Sequence, residues 1–195
     1  MRRGVLLLAL ALAGCALGPQ QRPSPALYDF GTPAAPNSPK LSGSLAVARV
    51  TAPEWLESPT LQYRLAYQDP LRYHGYGESR WVSSPAQLLT ERLRQAAQSA
   101  GRTVRDTEGV RTDYVLRVEL EEFSQVFDSP QASRGVARAR ATLVREGRVL
   151  VAQKNFTAEK PAPGADAAGG ARALAAAADQ LVAEILAWAS QAAAR

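Results

Sequence analysis

Asp113-Tyr-Val-Leu-Arg-Val-Glu-Leu-Glu-Glu-Phe123 is the stretch that decides the fold. Tyr114, Leu116, Val118 and Leu120 alternate with Arg117, Glu119 and Glu121. A period of two puts the first set on one face of a sheet and the second on the other. The stretch therefore reads as a strand with one apolar face, and another part of the chain must cover that face. Residues 135–145 and 148–158 are again β-rich and flank Glu146-Gly147. A two-residue connection ending in glycine predicts a hairpin. Over residues 171–193, Leu174, Ala178, Leu181, Ile185 and Trp188 recur at intervals of four and three. That spacing predicts an amphipathic helix laid on the sheet.

The upstream half completes the picture. Residues 27–30 form a short strand candidate, 31–43 a Pro/Ser/Gly loop, and 44–50 a further strand ended by Pro53. Residues 60–67 alternate, with Leu61, Tyr63, Leu65 and Tyr67 on one face. Gln68-Asp69-Pro70 signals a turn, and residues 71–81 return as a partner strand interrupted by Gly75 and Gly77. Ser84, Pro85 and Gln87 have the spacing of a capping box opening a helix. Leu89, Leu93, Ala96 and Ala100 form its stripe, and Gly101 supplies the stop. Residues 103–105 are a brief strand candidate, and 161–170 a loop. The expected class is α+β: a mixed, largely antiparallel sheet of about seven or eight strands with two main helices packed on it.

The chain's beginning reads differently. Met1-Arg2-Arg3 precedes an apolar run over 5–12, which ends in Leu12-Ala13-Gly14-Cys15. This is the pattern of a secretory signal peptide, and the run is shorter than the roughly 20 apolar residues a spanning helix needs. Leu-Ala-Gly-Cys resembles the box of bacterial lipoproteins. That resemblance makes residues 1–14 the signal peptide and Cys15 the acylated N-terminus. It makes 15–26 a lipidated, proline-rich tether and 27–195 a single periplasm-facing domain. Alanine at position 16 favours the outer membrane by the same analogy. More than one acyl chain makes membrane attachment stable.

Without residues 1–14, the net charge falls from +5 to +3, because two arginines leave and no acid does. The remaining arginines are spread along the chain rather than gathered in a stripe, which argues against nucleic acid as a partner. Cys15 is the only cysteine, so no disulfide is available once it is modified. Catalytic chemistry is sparse. His74 is the only histidine, no Gly-x-Ser-x-Gly elbow accompanies it, and no His/Cys cluster has zinc spacing. Glu121-Glu122 and the Asp106/Glu108 pair read as charged surface. No cofactor and no catalytic residue is expected.

One constellation remains. Residues 55–81 hold Trp55, Tyr63, Tyr67, Tyr73, Tyr76 and Trp81, with Arg64, Arg72 and Arg80 interleaved. Tyrosine and tryptophan combine apolar area with a polar handle and are enriched at interfaces. Tyr63, Tyr67 and Trp81 fall in phase with a core beneath the helix at 85–100. Trp55, Tyr73, Tyr76 and Arg80 lie near loops and glycines, where a partner or lipid contact and plain arginine–aromatic stacking both fit. These four are the candidate contact residues.

The ordered series Leu45-Ala-Val-Ala-Arg-Val-Thr-Ala-Pro53, Trp55-Leu56, Tyr63-Arg64-Leu65, Tyr76, Ser79-Arg80-Trp81 and Pro85-Ala-Gln-Leu-Leu89 resembles the ABC-type transport auxiliary lipoprotein family. The likeness runs from Tyr28 to the last helix. It implies a non-catalytic part of an ABC- or MCE-type transport system moving lipid or another hydrophobic substrate between membranes. An MCE-domain protein and an ABC permease and ATPase would be its partners, and a homo-oligomeric ring is implied by some relatives. Two other readings fit the same architecture. One is an envelope assembly lipoprotein serving an outer-membrane barrel or lipopolysaccharide. The other is a lipid-anchored hydrolase using His74 as base.

Overall fold

The computed structural model describes residues 24–33, 43–100, 103–105, 111–146 and 148–194. Eight strands and two α-helices are described: β1 (Ala26–Tyr28), β2 (Leu45–Val47), β3 (Thr60–Leu65), β4 (Tyr73–Trp81), α1 (Pro85–Ala100), β5 (Thr103–Arg105), β6 (Tyr114–Ser129), β7 (Ala132–Arg145), β8 (Val149–Pro161) and α2 (Ala167–Ala193). All eight strands join one open sheet of α+β class.

β6 is its spine. One edge pairs antiparallel with β7 along nearly its whole length, and β7 pairs antiparallel with β8. The other edge is shared. Its N-terminal end takes β2 in parallel, with β5 beyond, and its C-terminal end takes β3 in parallel. β3 then pairs antiparallel with β4, and β4 parallel with β1. The sheet is thus mixed, and its long pairings are antiparallel. β6 and β7 run beyond the expected 113–123 and 135–145, because a second tight connection at Ser129–Ala132 joins them.

Both helices lie on one face of the sheet over a single core. In α1, Ala86, Leu89, Leu93 and Ala97 are buried, while Ala96 is half-buried. Gly101 and the side chain of Ala100 lie outside the described residues. Ser84 caps α1 weakly, with its Oγ accepting from the Gln87 N–H at 3.4 Å. The Gln87 side chain turns to the Ser83 hydroxyl instead of closing the capping box. In α2, Leu174, Ala177, Ala178, Leu181, Ile185 and Leu186 are buried, and Trp188 sets its edge against Phe156 at 5.6 Å. α2 is long and apolar enough to cross a membrane, but half of its most apolar window is buried against the domain.

α2 starts four residues earlier than its periodicity suggested. Asp166 caps it, accepting from the Gly169 N–H at 2.6 Å. Gly169 and Gly170, poor helix formers, are there for clearance. A Cβ on Gly169 would lie 2.1 Å from the Gly164 carbonyl oxygen, and one on Gly170 2.0 Å from Gln125 Oε1. Cys15 and the expected tether residues before Ser24 lie outside the described residues, as do Asp106, Glu108 and Gly147.

Candidate docking site

The site begins with an irregularity in β6. Val118 pairs with Ala141 and Leu120 with Ala139, but Glu122 pairs with Arg138, so Glu121 is an extra residue in β6. A β-bulge of this kind exchanges the two faces of the strand beyond it. Up to Leu120 the even-numbered residues face the helices. After Glu121 the odd ones do, and Phe123, Gln125 and Phe127 turn inward.

Phe123 then completes an aromatic core. Trp81 meets Phe30 edge-on at 5.5 Å and Phe123 at 5.6 Å, and it is 1% exposed. Gln125 is fully buried at the foot of α2. Its Oε1 accepts from the Tyr76 hydroxyl at 2.9 Å, and its amide donates to Ser133 Oγ at 2.8 Å and to the Asp166 carbonyl at 3.2 Å. Tyr63 packs between His74, stacked at 5.0 Å, and Tyr76 at 4.6 Å. Burial, with smaller contributions from Tyr63 and Asp166, pushes the Tyr76 hydroxyl up to about 12.

The outer face carries the other half of β6. Glu122 is fully buried there, although its neighbours on this face are polar. Arg64 of β3 pairs with one of its carboxylate oxygens, which also accepts from Ser124 Oγ at 3.1 Å. Arg138 of β7 approaches the other oxygen at 2.5 Å, as a charge contact rather than an aligned hydrogen bond. The Arg64 guanidinium also lies 5.0 Å from the centre of the Tyr73 ring, a cation–π distance. Tyr73 in turn packs on Trp55 at 4.9 Å. Burial, and next the negative charge of Glu122, raises the Tyr73 hydroxyl above its ordinary value, against the opposing pull of Arg64 and Arg138. Trp55 belongs to a 3₁₀ turn, Glu54–Leu56, whose Leu56 is buried as a plug, and Gln62 donates to the Trp55 carbonyl at 2.9 Å.

A supported aromatic pair results. Trp55 and Tyr73 are each 40% exposed, yet their positions are fixed from beneath by Arg64, Glu122 and Arg138. Leu71, on the turn between β3 and β4, is exposed beside them in sequence.

The four candidates from the sequence therefore separate. Trp55 and Tyr73 meet on the outer face. Tyr76 is half-buried on the helix side, and Arg80 is exposed at the far end of β4 beside β1. Of the residues expected in the core, Trp81 is there, Tyr63 is half-buried and Tyr67 is exposed, because β3 ends at Leu65 and Tyr67 falls in the turn that follows. Glu121 and Glu122, read as charged surface, differ in burial: Glu121 reaches the exposed Arg140 at 2.8 Å, whereas Glu122 is fully buried between Arg64 and Arg138. Sequence reasoning missed Glu122 and Arg138. The clue was spacing: Leu120 to Phe123 is three residues, where alternation allows two or four. His74 stacks on Tyr63 and makes no hydrogen bond to a serine or carboxylate among the described residues. Among those residues, no group of three or more His, Cys, Asp or Glu is placed to hold a metal ion.

Fold and site together define an α+β domain that presents a rigid aromatic pair on the sheet face opposite its helices. Residues 28–186 match the family described as ABC-type transport auxiliary lipoprotein component, and the chain belongs to that family. No curated protein matches the sequence. Among solved structures, protein XCC0632 from Xanthomonas campestris is similar with a TM-score of 0.74 at 22% identity, over 86% of this chain and 95% of that one. The hypothetical protein CT253 from Chlamydia trachomatis is similar with a TM-score of 0.57 at 11% identity, over 79% of this chain and 99% of that one. At these identities the likeness speaks for the fold alone.

Proposed function

We propose that this protein is a non-catalytic docking subunit of an ABC/MCE-type system that moves lipid or another hydrophobic substrate across the cell envelope. Acyl chains on Cys15 hold it to the outer membrane, with residues 27–195 facing the periplasm. Family membership ties it to an ABC transport system. The observation that carries the docking role is the Trp55–Tyr73 pair, half-exposed but fixed by the Arg64–Glu122–Arg138 cluster. Aromatic side chains locked before binding lose little rotamer freedom on contact, and such residues dominate interface energetics. The partner is an MCE-domain protein or the permease of the system, and a ring of several copies would set several such pairs around one axis.

The test is recovery of partners from native membranes in mild detergent. The wild-type protein is expected to bring down MCE or ABC components. Trp55→Ala combined with Tyr73→Ala is expected to lose them while keeping its thermal melting temperature. Recovery of no transporter component by the wild-type protein sinks the reading. Equal recovery by wild type and the double variant places the contact elsewhere on the domain.

A further inference from the structure

β4 joins two corners of the domain. At one end is the β3–β4 turn with Leu71 and Tyr73. At the other, β1 lies parallel to β4, with Leu27 opposite Arg80 and Tyr28 opposite Trp81. Tyr28 and Trp81 pack inward, so Leu27 and Arg80 share the outer face. The Val82 N–H donates to the Tyr28 carbonyl at 2.8 Å, continuing the ladder by one residue and placing Val82 on that same outer side. Leu27 is 57% exposed and Val82 53%. Arg80 beside them, and Arg172 on the second turn of α2, are exposed and make no ion pair among the described residues. Asp29, the nearby acid, accepts from the Gly31 N–H at 2.8 Å.

We propose that this corner, Leu27 and Val82 with Arg80, rests on the lipid bilayer surface, with the Trp55–Tyr73 pair held at the opposite end of β4. The inference depends on the proposed acylation of Cys15. Eleven residues separate Cys15 from Leu27, so twelve chain steps reach at most about 42 Å at ~3.5 Å each. The described chain enters the domain two residues before β1, so this corner is where the tether arrives. An anchored domain has already lost most of its freedom relative to the bilayer, so weak contacts suffice to orient it. Two aliphatic side chains suit the interfacial region, and two unpaired guanidinium groups suit anionic head groups. At about 3.3 Å per residue, nine-residue β4 sets the two corners no more than roughly 26 Å apart. With β4 upright on the bilayer, the docking pair is held at about that distance from the head groups and open to a periplasmic partner.

Because Cys15 is the only cysteine and is capped when acylated, single cysteines elsewhere can be labelled cleanly. Leu27→Cys, Val82→Cys and Leu71→Cys carry an environment-sensitive fluorophore on the mature lipoprotein. The proteins are placed in nanodiscs of phosphatidylethanolamine with phosphatidylglycerol, and intact mass verifies the acyl chains. Nitroxide lipids labelled near the head group are expected to quench positions 27 and 82 at least threefold more than position 71. The proposal is overturned if, on acylated protein, positions 27 and 82 are as open to an aqueous quencher as 71. It is also overturned if they are shielded from the aqueous quencher without nitroxide quenching and the shielding follows protein copies per disc, which would make a second copy the occupant. A mass without acyl chains removes the anchor reading, and this orientation with it.

Discussion

Glu122 shows how a single side chain decides local chemistry. Removing one partner of a buried ion pair strands the other charge in a low-dielectric site. Arg64→Ala would leave the Glu122 carboxylate buried with only Arg138, itself half-exposed. We expect a loss of about 3 kcal/mol, at the low end of what breaking a buried pair costs. Glu122→Gln should cost less, because both arginines can turn to water. Urea unfolding of both variants checks the order, and a larger loss for Glu122→Gln would show that the arginines are the trapped partners. Tyr76 gives a pH signature. Its hydroxyl titrates near about 12 in the fold, against 10.0 in an unfolded chain. Between these values the unfolded state releases a proton that the folded state keeps, so stability is complete below about pH 10 and falls as pH rises towards 12. Phenolate absorbance should show a late-titrating component that shrinks by one tyrosine in Tyr76→Phe, while the contribution of Tyr73 stays. A Tyr76→Phe profile identical to wild type would refute the assignment.

Among the elements, the β7–β8 hairpin and the β6 bulge mark what was legible in the sequence. The hairpin was plain, since Glu146-Gly147 separates two β-rich runs. Its cost was not visible: Glu146 sits at φ +49°, where a side chain is strained and glycine or asparagine is at ease. Glu146→Asn should therefore stabilise the domain by roughly 0.5–1 kcal/mol, read as an increase in melting temperature. No increase would mean that the connection is held by other contacts, such as the Glu146 N–H to the Asp113 carbonyl. The alternation over 114–120 was equally legible, because each residue there faces either core or solvent. It fails beyond Glu121 because a bulge leaves no composition signal and reverses inside and outside. That reversal puts Glu122 on the outer face, where Arg64 and Arg138 cover it, and turns Gln125 inward, so the part of the site that was hard to read stems from one inserted residue. The start of α2 was hidden for a related reason. Gly169 and Gly170 read as loop by propensity, but tertiary clearance requires them. Gly135 in β7 is similar: a Cβ there would lie 2.6 Å from the Leu174 backbone nitrogen. Gly135→Ala must push α2 off the sheet, and overpacking of this sort costs about 1–3 kcal/mol. Unchanged stability in chemical denaturation would mean that α2 shifts freely.

At the scale of the whole molecule, the question is how the domain holds its N-terminal end, which joins the sheet through a three-residue edge strand. β1 has three residues and pairs only with β4. Such a short edge pairing would fray by itself. Arg92 of α1 fastens the segment immediately after β1. Its guanidinium is nearly buried and donates to the carbonyls of Phe30 at 2.6 Å and Gly31 at 2.8 Å, while facing Asp179 of α2 at 2.9 Å. One side chain thus ties the incoming chain to both helices, and Phe30 reaches from the same segment to Trp81 and Phe123. Hydrogen bonds to a charged donor contribute about 1.5–3 kcal/mol. Arg92→Met keeps the apolar stem and removes the clamp. We expect amide exchange over residues 26–31 to quicken by about a hundredfold, equivalent to roughly 2.7 kcal/mol of local opening. Exchange in β6 and β7 should change far less, because those strands are held from both edges or by α2. Equal acceleration in β6 would mean that Arg92 supports the whole core, and no acceleration at 26–31 would mean that the aromatic contacts of Phe30 alone secure this edge of the domain.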